Sequence, residues 1–143
     1  MSKRLYVLLG IFILAAAHAV AQPKSEGRTI QVDVTYTGSG TVDASHKMYV
    51  ALWDSPQPNG PPVAVKPIDS KTGTVTFADV QKVPAYVSVA YDPTGKWEAQ
   101  SAPPPGSSLG VYARNPPTPD PINPAPGKTV KIKITFDDTA KAP

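Results

Sequence analysis

The sequence has no cysteine and only two histidines, His18 and His46, among its 143 residues. Without a thiol, the chain forms no disulfide and cannot fill a zinc site built from cysteine and histidine ligands. None of Asn59, Asn115 and Asn123 opens an Asn-x-Ser/Thr sequon, so N-glycosylation is excluded as well. The stability of the fold must therefore come from the packing of an apolar core.

Catalytic patterns are equally scarce. The chain has neither a phosphate-binding glycine loop nor a dinucleotide-binding fingerprint. Asp43 and His46 share the segment 39–46 with two serines, but the members of a hydrolase triad come from separate elements around a nucleophile elbow or an oxyanion hole. We interpret this segment as a hairpin loop, and we predict a protein that is not an enzyme and uses no metal and no cofactor.

Residues 1–21 have the pattern of a cleavable secretory signal. Lys3 and Arg4 precede the uncharged apolar run 5–17, and small residues follow at 19–21. We expect cleavage before Gln22, or alternatively before Val20. An uncleaved membrane anchor fits less well, because about 20 apolar residues are needed to span a bilayer. The sequence thus predicts a secreted or periplasmic protein, with bacterial export favoured and no stable membrane insertion after cleavage.

Charge excludes another class of partner. The whole chain has 14 basic and 11 acidic residues. Cleavage removes Lys3 and Arg4, so 12 basic and 11 acidic residues remain. The remaining lysines and arginines are spread singly along the sequence, so no polybasic patch is present. We therefore expect no binding to nucleic acid.

Alternation of apolar and polar residues with a period of two recurs along the exported part, and this pattern predicts β-strands. Short strands separated by turn residues are typical of an antiparallel β-sandwich of prealbumin-like or immunoglobulin-like Greek-key type. We predict a linker at 22–27, one sandwich domain at 28–138 and a tail at 139–143. MYVALW and AYVSVAY are apolar on both faces and are expected in the middle of a sheet. The predicted strands are Arg28–Thr37, Lys47–Trp53, Pro62–Lys66, Gly73–Phe77, Ala85–Tyr91, Leu109–Arg114 and Thr129–Phe136.

Proline is the compositional outlier, with 18 residues, all of them beyond the predicted cleavage site. Many are concentrated in the segments 103–105 and 115–127. Proline runs cannot donate ladder hydrogen bonds and prefer an extended conformation. We interpret them as a stiff crossover between the sheets, with a polyproline surface for a partner as the alternative.

One stretch carries a resemblance to a known family. The segments 73–80 and 83–92 resemble half of a transthyretin-like (prealbumin-like) or carboxypeptidase-regulatory-like domain of small exported bacterial proteins. A glycine enters a strand with Phe77 near its end, a short turn with Asp79 and Pro84 follows, and a strand with Tyr86 and Val87 runs up to an acidic turn at Asp92. The resemblance implies a fold and no activity. Some similar domains have an acidic, asparagine-rich calcium loop at this point, but residues 92–97 hold only one carboxylate.

Five residues are candidates for binding. Asp54 and Asp92 each follow a central strand, and we interpret each as an ordinary turn residue. The alternative is that they meet at one end of the sandwich, where paired carboxylates serve as acid and base or bind calcium. Trp53, Trp97 and Tyr112 are the aromatic candidates, either as a contact surface or as covers of the core.

We predict an exported interaction or accessory module with a protein or glycan partner, and homo-oligomers are compatible with this prediction. The alternative is a carbohydrate-binding or small-ligand-binding protein that uses exposed aromatic residues.

Overall fold

The computed structural model describes residues 26–57 and 59–143, and the described chain is all-β, with no helix. Within those ranges, no helix is long and apolar enough to cross a membrane. The predicted signal at 1–21 lies outside the described residues. The strands are β1 Thr29–Tyr36, β2 Met48–Trp53, β3 Ala64–Ile68, β4 Thr72–Phe77, β5 Tyr86–Tyr91, β6 Ser108–Val111 and β7 Thr129–Phe136. All seven predicted strands are present, with ends displaced by a few residues at most.

The smaller sheet has three strands in the order β4-β1-β7. β1 pairs antiparallel with β4 but parallel with β7 over its whole length. The expectation of a purely antiparallel fold is therefore wrong for this pair. Parallel neighbours need a long crossover connection instead of a hairpin, and here the five intervening strands supply it.

The larger sheet has four strands in the order β3-β2-β5-β6, and all its pairs are antiparallel. The two central strands, β2 and β5, are the ones with apolar residues on both faces. Their predicted position in the middle of a sheet is confirmed. In β2, the side chains of Met48, Val50 and Leu52 are buried, and those of Tyr49 and Trp53 lie half-buried on the other face.

A single cluster of buried side chains joins the two sheets. Alternate residues of β1 and β7 point into it, because successive side chains of a strand lie on opposite faces. Three aromatic rings pack together within the cluster: Tyr36 lies 4.9 Å from Tyr91 and 5.0 Å from Phe136, measured between ring centroids. The outer face of the smaller sheet, in contrast, is polar, with exposed threonines and lysines along β4 and β7.

The proline-rich segment between β6 and β7 carries the chain from the larger sheet to the smaller one, as predicted. Ile122 fixes this crossover: its side chain is buried, and its backbone exchanges two hydrogen bonds with Ala85. The other proline run, 103–105, lies between β5 and β6 of one sheet and therefore makes no such crossing.

Residues 140–142, expected to belong to a tail beyond the domain, continue the fold. The Leu109 N–H donates to the Ala140 carbonyl at 2.8 Å, and the Ala142 N–H donates to the Ser107 carbonyl at 2.8 Å. Ala142 is buried. The end of the chain therefore covers the free edge of β6.

Candidate functional site

A cleft of about 500 Å³ opens at one side of the molecule, where the edge strands β3 and β4 of the two sheets lie close together. Its walls come from the end of β2, the start of β3 and the connection from β4 to β5. The lining residues are Leu52, Trp53, Asp54, Val63, Ala64, Lys66, Phe77, Ala78, Asp79, Val80, Gln81, Lys82 and Ala85.

The cleft is mainly apolar, and an exposed apolar side chain forms part of its wall. Among the described residues, the large hydrophobic side chains that are substantially exposed are Val63, at 60%, and Val83, at 37%. Val63 lines the cleft, and Val83 directly follows the lining residue Lys82. Clustered exposed apolar residues with a polar rim mark contact sites more often than scattered ones do.

Charges of both signs form the rim. Lys82 Nζ lies 3.0 Å from an Asp54 carboxylate oxygen, and this hydrogen bond and the lysine charge lower the pKa of Asp54. Lys66 Nζ lies 5.9 Å from the centre of the Phe77 ring. Exposed ion pairs contribute little to stability because water screens them. The Asp54–Lys82 pair therefore adds little to the stability of the fold.

Trp53 reaches the cleft from the outer face of β2, and its position is fixed. The indole N–H donates to Ser88 Oγ on the neighbouring strand β5 at 2.9 Å. The ring is half-buried. Trp53 thus forms a rigid apolar wall whose hydrogen-bonding group is already used inside the protein.

Asp92 and Trp97 lie together at the other end of the larger sheet. Asp92 is only 3% exposed, and its carboxylate accepts hydrogen bonds from the N–H groups of Thr94, Lys96 and Trp97 and from the Thr94 hydroxyl. Burial raises the pKa of Asp92, but these hydrogen bonds outweigh it, so the pKa lies below its ordinary value. Asp92 therefore organises the loop, and its oxygens are occupied.

Trp97 packs on the sheet through that loop. Its ring meets Tyr49 edge-on, with 5.2 Å between centroids, and its indole N–H donates to the Ser101 carbonyl at 3.1 Å. The ring is half-buried. Trp97 therefore covers the outer face of the larger sheet near Tyr49.

The alternative in which Asp54 and Asp92 meet at one end is wrong. β2 and β5 are antiparallel neighbours, with Met48 opposite Tyr91 and Trp53 opposite Tyr86. The residues that follow two antiparallel neighbours lie at opposite ends of a sheet. The fold thus brings Trp53 and Asp54 together in the cleft and separates them from Asp92 and Trp97.

Tyr112, the fifth candidate, lies at the start of the crossover and packs against the core. Its N–H donates to the Val87 carbonyl at 3.0 Å, and its carbonyl accepts from the Asp120 N–H at 2.9 Å. Tyr112 therefore has a structural role.

A polar cluster around Asp138 was missed by sequence reasoning. The carboxylate accepts hydrogen bonds from Tyr36 Oη at 2.5 Å, Ser108 Oγ at 2.7 Å, and the N–H and hydroxyl of Ser39 at 2.8 and 3.0 Å. Lys141 Nζ lies 3.2 Å away. Hydrogen bonds from Ser108, Tyr36 and Ser39 hold the pKa of Asp138 far below its usual range. No local sequence pattern marks this cluster, because Tyr36 and Asp138 lie 102 positions apart.

The segment 39–46 does not bring its serines onto His46. His46 Nδ1 lies 3.0 Å from Asp43, whereas the Ser39 hydroxyl donates to Asp138. Across the described ranges, no group of three or more histidine, aspartate or glutamate side chains is placed to hold a metal ion.

Comparison with models of protein families, with curated proteins and with solved structures finds no match to this chain. The prealbumin-like resemblance therefore remains a prediction, and any function must be inferred from the residues of the molecule itself.

Proposed function

We propose that this chain is an exported, non-catalytic β-sandwich of Greek-key, prealbumin-like type that binds a partner protein through the cleft between β3 and β4. The partner presents an apolar side chain to the cleft and charged groups to its rim. One observation carries the proposal: the exposed Val63 lines this cleft and the exposed Val83 directly follows its lining residue Lys82, whereas the other large apolar side chains of the described residues are buried or half-buried.

The grouping of strands supports the prealbumin-like alternative. An immunoglobulin sandwich of seven strands places the first, second, fourth and fifth strands in one sheet. Here the first strand lies with the fourth and seventh, and the second lies with the third, fifth and sixth. This grouping does not fit the immunoglobulin order, so we propose the prealbumin-like arrangement.

The composition of the rim supports a protein partner. Asp54 and Lys82 offer one charge of each sign beside an apolar wall, and this combination suits a polypeptide surface of mixed charge. Export to a compartment outside the cytoplasm stays part of the proposal, on the pattern of residues 1–21.

A carbohydrate-binding function is the second candidate, and the half-buried aromatic rings Trp53 and Trp97 favour it. Sugar rings stack on exposed aromatic faces and are oriented by nearby polar groups. Both indole N–H groups, however, donate to internal acceptors, and Trp97 packs on Tyr49. The cleft therefore supports a protein partner better than the aromatic rings support a sugar.

Site-specific photo-crosslinking in the cells that produce the protein tests the proposal. A benzophenone amino acid at Val63 is expected to yield one discrete adduct with a partner, and Lys82→Glu is expected to reduce that adduct because it replaces a positive charge at the rim by a negative one. The matched control carries the benzophenone at Thr35, on the polar outer face of the smaller sheet. Equal labelling from both positions, or an adduct indifferent to Lys82→Glu, contradicts the proposal.

The two tryptophans allow the carbohydrate alternative to be tested separately. Trp97→Phe leaves Trp53 as the single fluorescent indole, and Trp53→Phe leaves Trp97. On titration with a panel of soluble oligosaccharides, we expect no change in emission from either variant. A saturable change in one of them supports the carbohydrate function and identifies the tryptophan concerned.

A further inference from the structure

The three asparagines of the chain, Asn59, Asn115 and Asn123, are all exposed, but they differ in the residue that follows. That residue decides whether an asparagine side chain can react with the backbone, because the next N–H group is the nucleophile. Asn115 and Asn123 precede proline, which has no backbone N–H. Asn59 precedes Gly60, which has an N–H and no side chain to hinder the reaction. Of the three, Asn59 alone therefore has a reactive neighbour.

The fold leaves Asn59 and Gly60 free to react. Gly60 has a φ of 90°, and a Cβ placed on it would meet no atom within 4 Å. No described backbone carbonyl accepts a hydrogen bond from the Gly60 N–H, whereas the Val63 N–H in the same connection donates to the Leu52 carbonyl at 2.8 Å. The reaction requires rotation about ψ and χ1 of Asn59, and a proline ring fixes only its own φ. The neighbouring prolines therefore do not lock these two torsions.

We propose that Asn59 is a site of spontaneous deamidation and isomerisation. The Gly60 nitrogen attacks Cγ of Asn59 and forms a bond to it, while the bond from Cγ to the side-chain nitrogen breaks. That nitrogen takes the Gly60 proton and leaves as ammonia, and a five-membered succinimide ring remains. Water then opens the ring. Opening at Cγ gives aspartate, and opening at the backbone carbonyl carbon gives isoaspartate, in which the main chain runs through the former side chain.

The reaction changes the connection from β2 to β3, which borders the cleft. Asp54 lies near one end of this connection and Val63 near the other, and both line the cleft. Both products carry a carboxylate with an ordinary pKa of about 3.9, so a neutral side chain becomes negative at pH 7. Isoaspartate also adds a methylene group to the main chain. An effect on a partner rests on the function proposed for the cleft, but the reaction itself does not.

Peptide mapping by mass spectrometry tests the proposal on the purified, exported chain during incubation at mildly alkaline pH. We expect the peptide with Asn59 to convert progressively into two isomeric acidic products, and enzymatic methylation should identify one of them as isoaspartate. The peptides with Asn115 and Asn123 are internal controls and should stay unchanged. A parallel incubation in urea gives the rate in the unfolded chain. A folded chain that keeps Asn59 intact while the unfolded chain loses it, or equal conversion at all three asparagines, overturns the proposal.

A conservative variant gives a second measurement. Asn59→Gln keeps the amide and the charge, but its longer side chain would have to close a six-membered ring, which forms more slowly. On ion-exchange chromatography, we expect the wild-type chain to accumulate an acidic form and Asn59→Gln to accumulate much less of it over the same time. Equal accumulation in the two proteins would place the charge change elsewhere and overturn the proposal. Photo-crosslinking at Val63 tests the cleft independently, so either proposal can fail alone.

Discussion

Asp138 joins parts of the chain that are far apart in sequence. Its carboxylate accepts hydrogen bonds from Tyr36 at the end of β1, from Ser39 in the loop that follows, and from Ser108 at the start of β6. The strands β1 and β6 belong to different sheets. A carboxylate that accepts several hydrogen bonds is favoured in its charged form. These hydrogen bonds therefore stabilise the folded state most while Asp138 is ionised.

Replacing Asp138 by asparagine should lower the free energy of unfolding at pH 7 by about 1 to 3 kcal/mol, because a neutral amide cannot accept the same set of hydrogen bonds. Urea denaturation measures this loss. Asp137→Asn is the matched control, since the neighbouring carboxylate bonds only to Thr139 among the described residues, and we expect a smaller change from it. An equal loss in both variants would contradict the role of Asp138.

The wild type and Asp138→Asn also differ in how their stability depends on pH. The folded pKa of Asp138 lies below the value of about 3.9 expected in the unfolded chain, so its stabilisation is fully present above the unfolded pKa. As the pH falls below about 4, the unfolded state takes up a proton that the folded state resists, and the contribution is lost. The difference in stability between wild type and Asp138→Asn should be constant from pH 8 to about 5 and shrink below about 4. If the difference in stability between the two proteins increased on acidification, the lowered pKa of Asp138 would be disproved.

At the scale of structural elements, the loop after β5 is organised by the side chain of Asp92. Its carboxylate accepts hydrogen bonds from the N–H groups of Thr94, Lys96 and Trp97, and these bonds place Trp97 on Tyr49. The loop contributes little to the buried core beyond this contact, since Pro93, Thr94 and Lys96 are exposed.

Asp92→Ala should therefore release the loop without unfolding the sheets. In a Trp53→Phe background, where Trp97 is the reporter, we expect the emission of Trp97 to shift to longer wavelength and its quenching by iodide to increase. Far-UV circular dichroism should keep its β-sheet shape. The control is Asp54→Ala, whose carboxylate bonds to Lys82 at the far end of the sheet and should leave Trp97 unaffected. Unchanged quenching in Asp92→Ala would show that other contacts hold Trp97.

At the scale of the whole molecule, the first and last strands pair with each other, and one core joins both sheets. Most contacts therefore link residues distant in sequence, and such topologies fold cooperatively and slowly. The end of the chain takes part as well, because residues 140–142 pair with β6 and Ala142 is buried.

Deletion of residues 139–143 should lower the thermal midpoint while leaving a single cooperative transition, because the deletion uncovers β6 but removes no strand. Lys141→Met is the matched control: it removes the charge but keeps the backbone pairing, so it should lower the midpoint less. Differential scanning calorimetry measures both. If the deletion lowers the thermal midpoint no more than Lys141→Met does, the backbone pairing of this segment contributes nothing to stability.

The sequence alone determined the strands, because the alternation of buried and exposed side chains is set locally by the geometry of an extended backbone. It also determined that β2 and β5 are central, since a strand with neighbours on both sides and a partly covered outer face carries apolar residues on both faces. The proline-rich crossover followed from the conformational preference of proline.

The tertiary structure alone decided which strands become neighbours. The parallel pairing of β1 with β7, the separation of Asp54 from Asp92, the cleft beside Val63 and the cluster around Asp138 all depend on contacts between distant segments. Such contacts form because the two sheets bury a common core, and the free energy of that burial must exceed the entropy lost in closing long loops. No local pattern in the sequence therefore predicts which strands become neighbours.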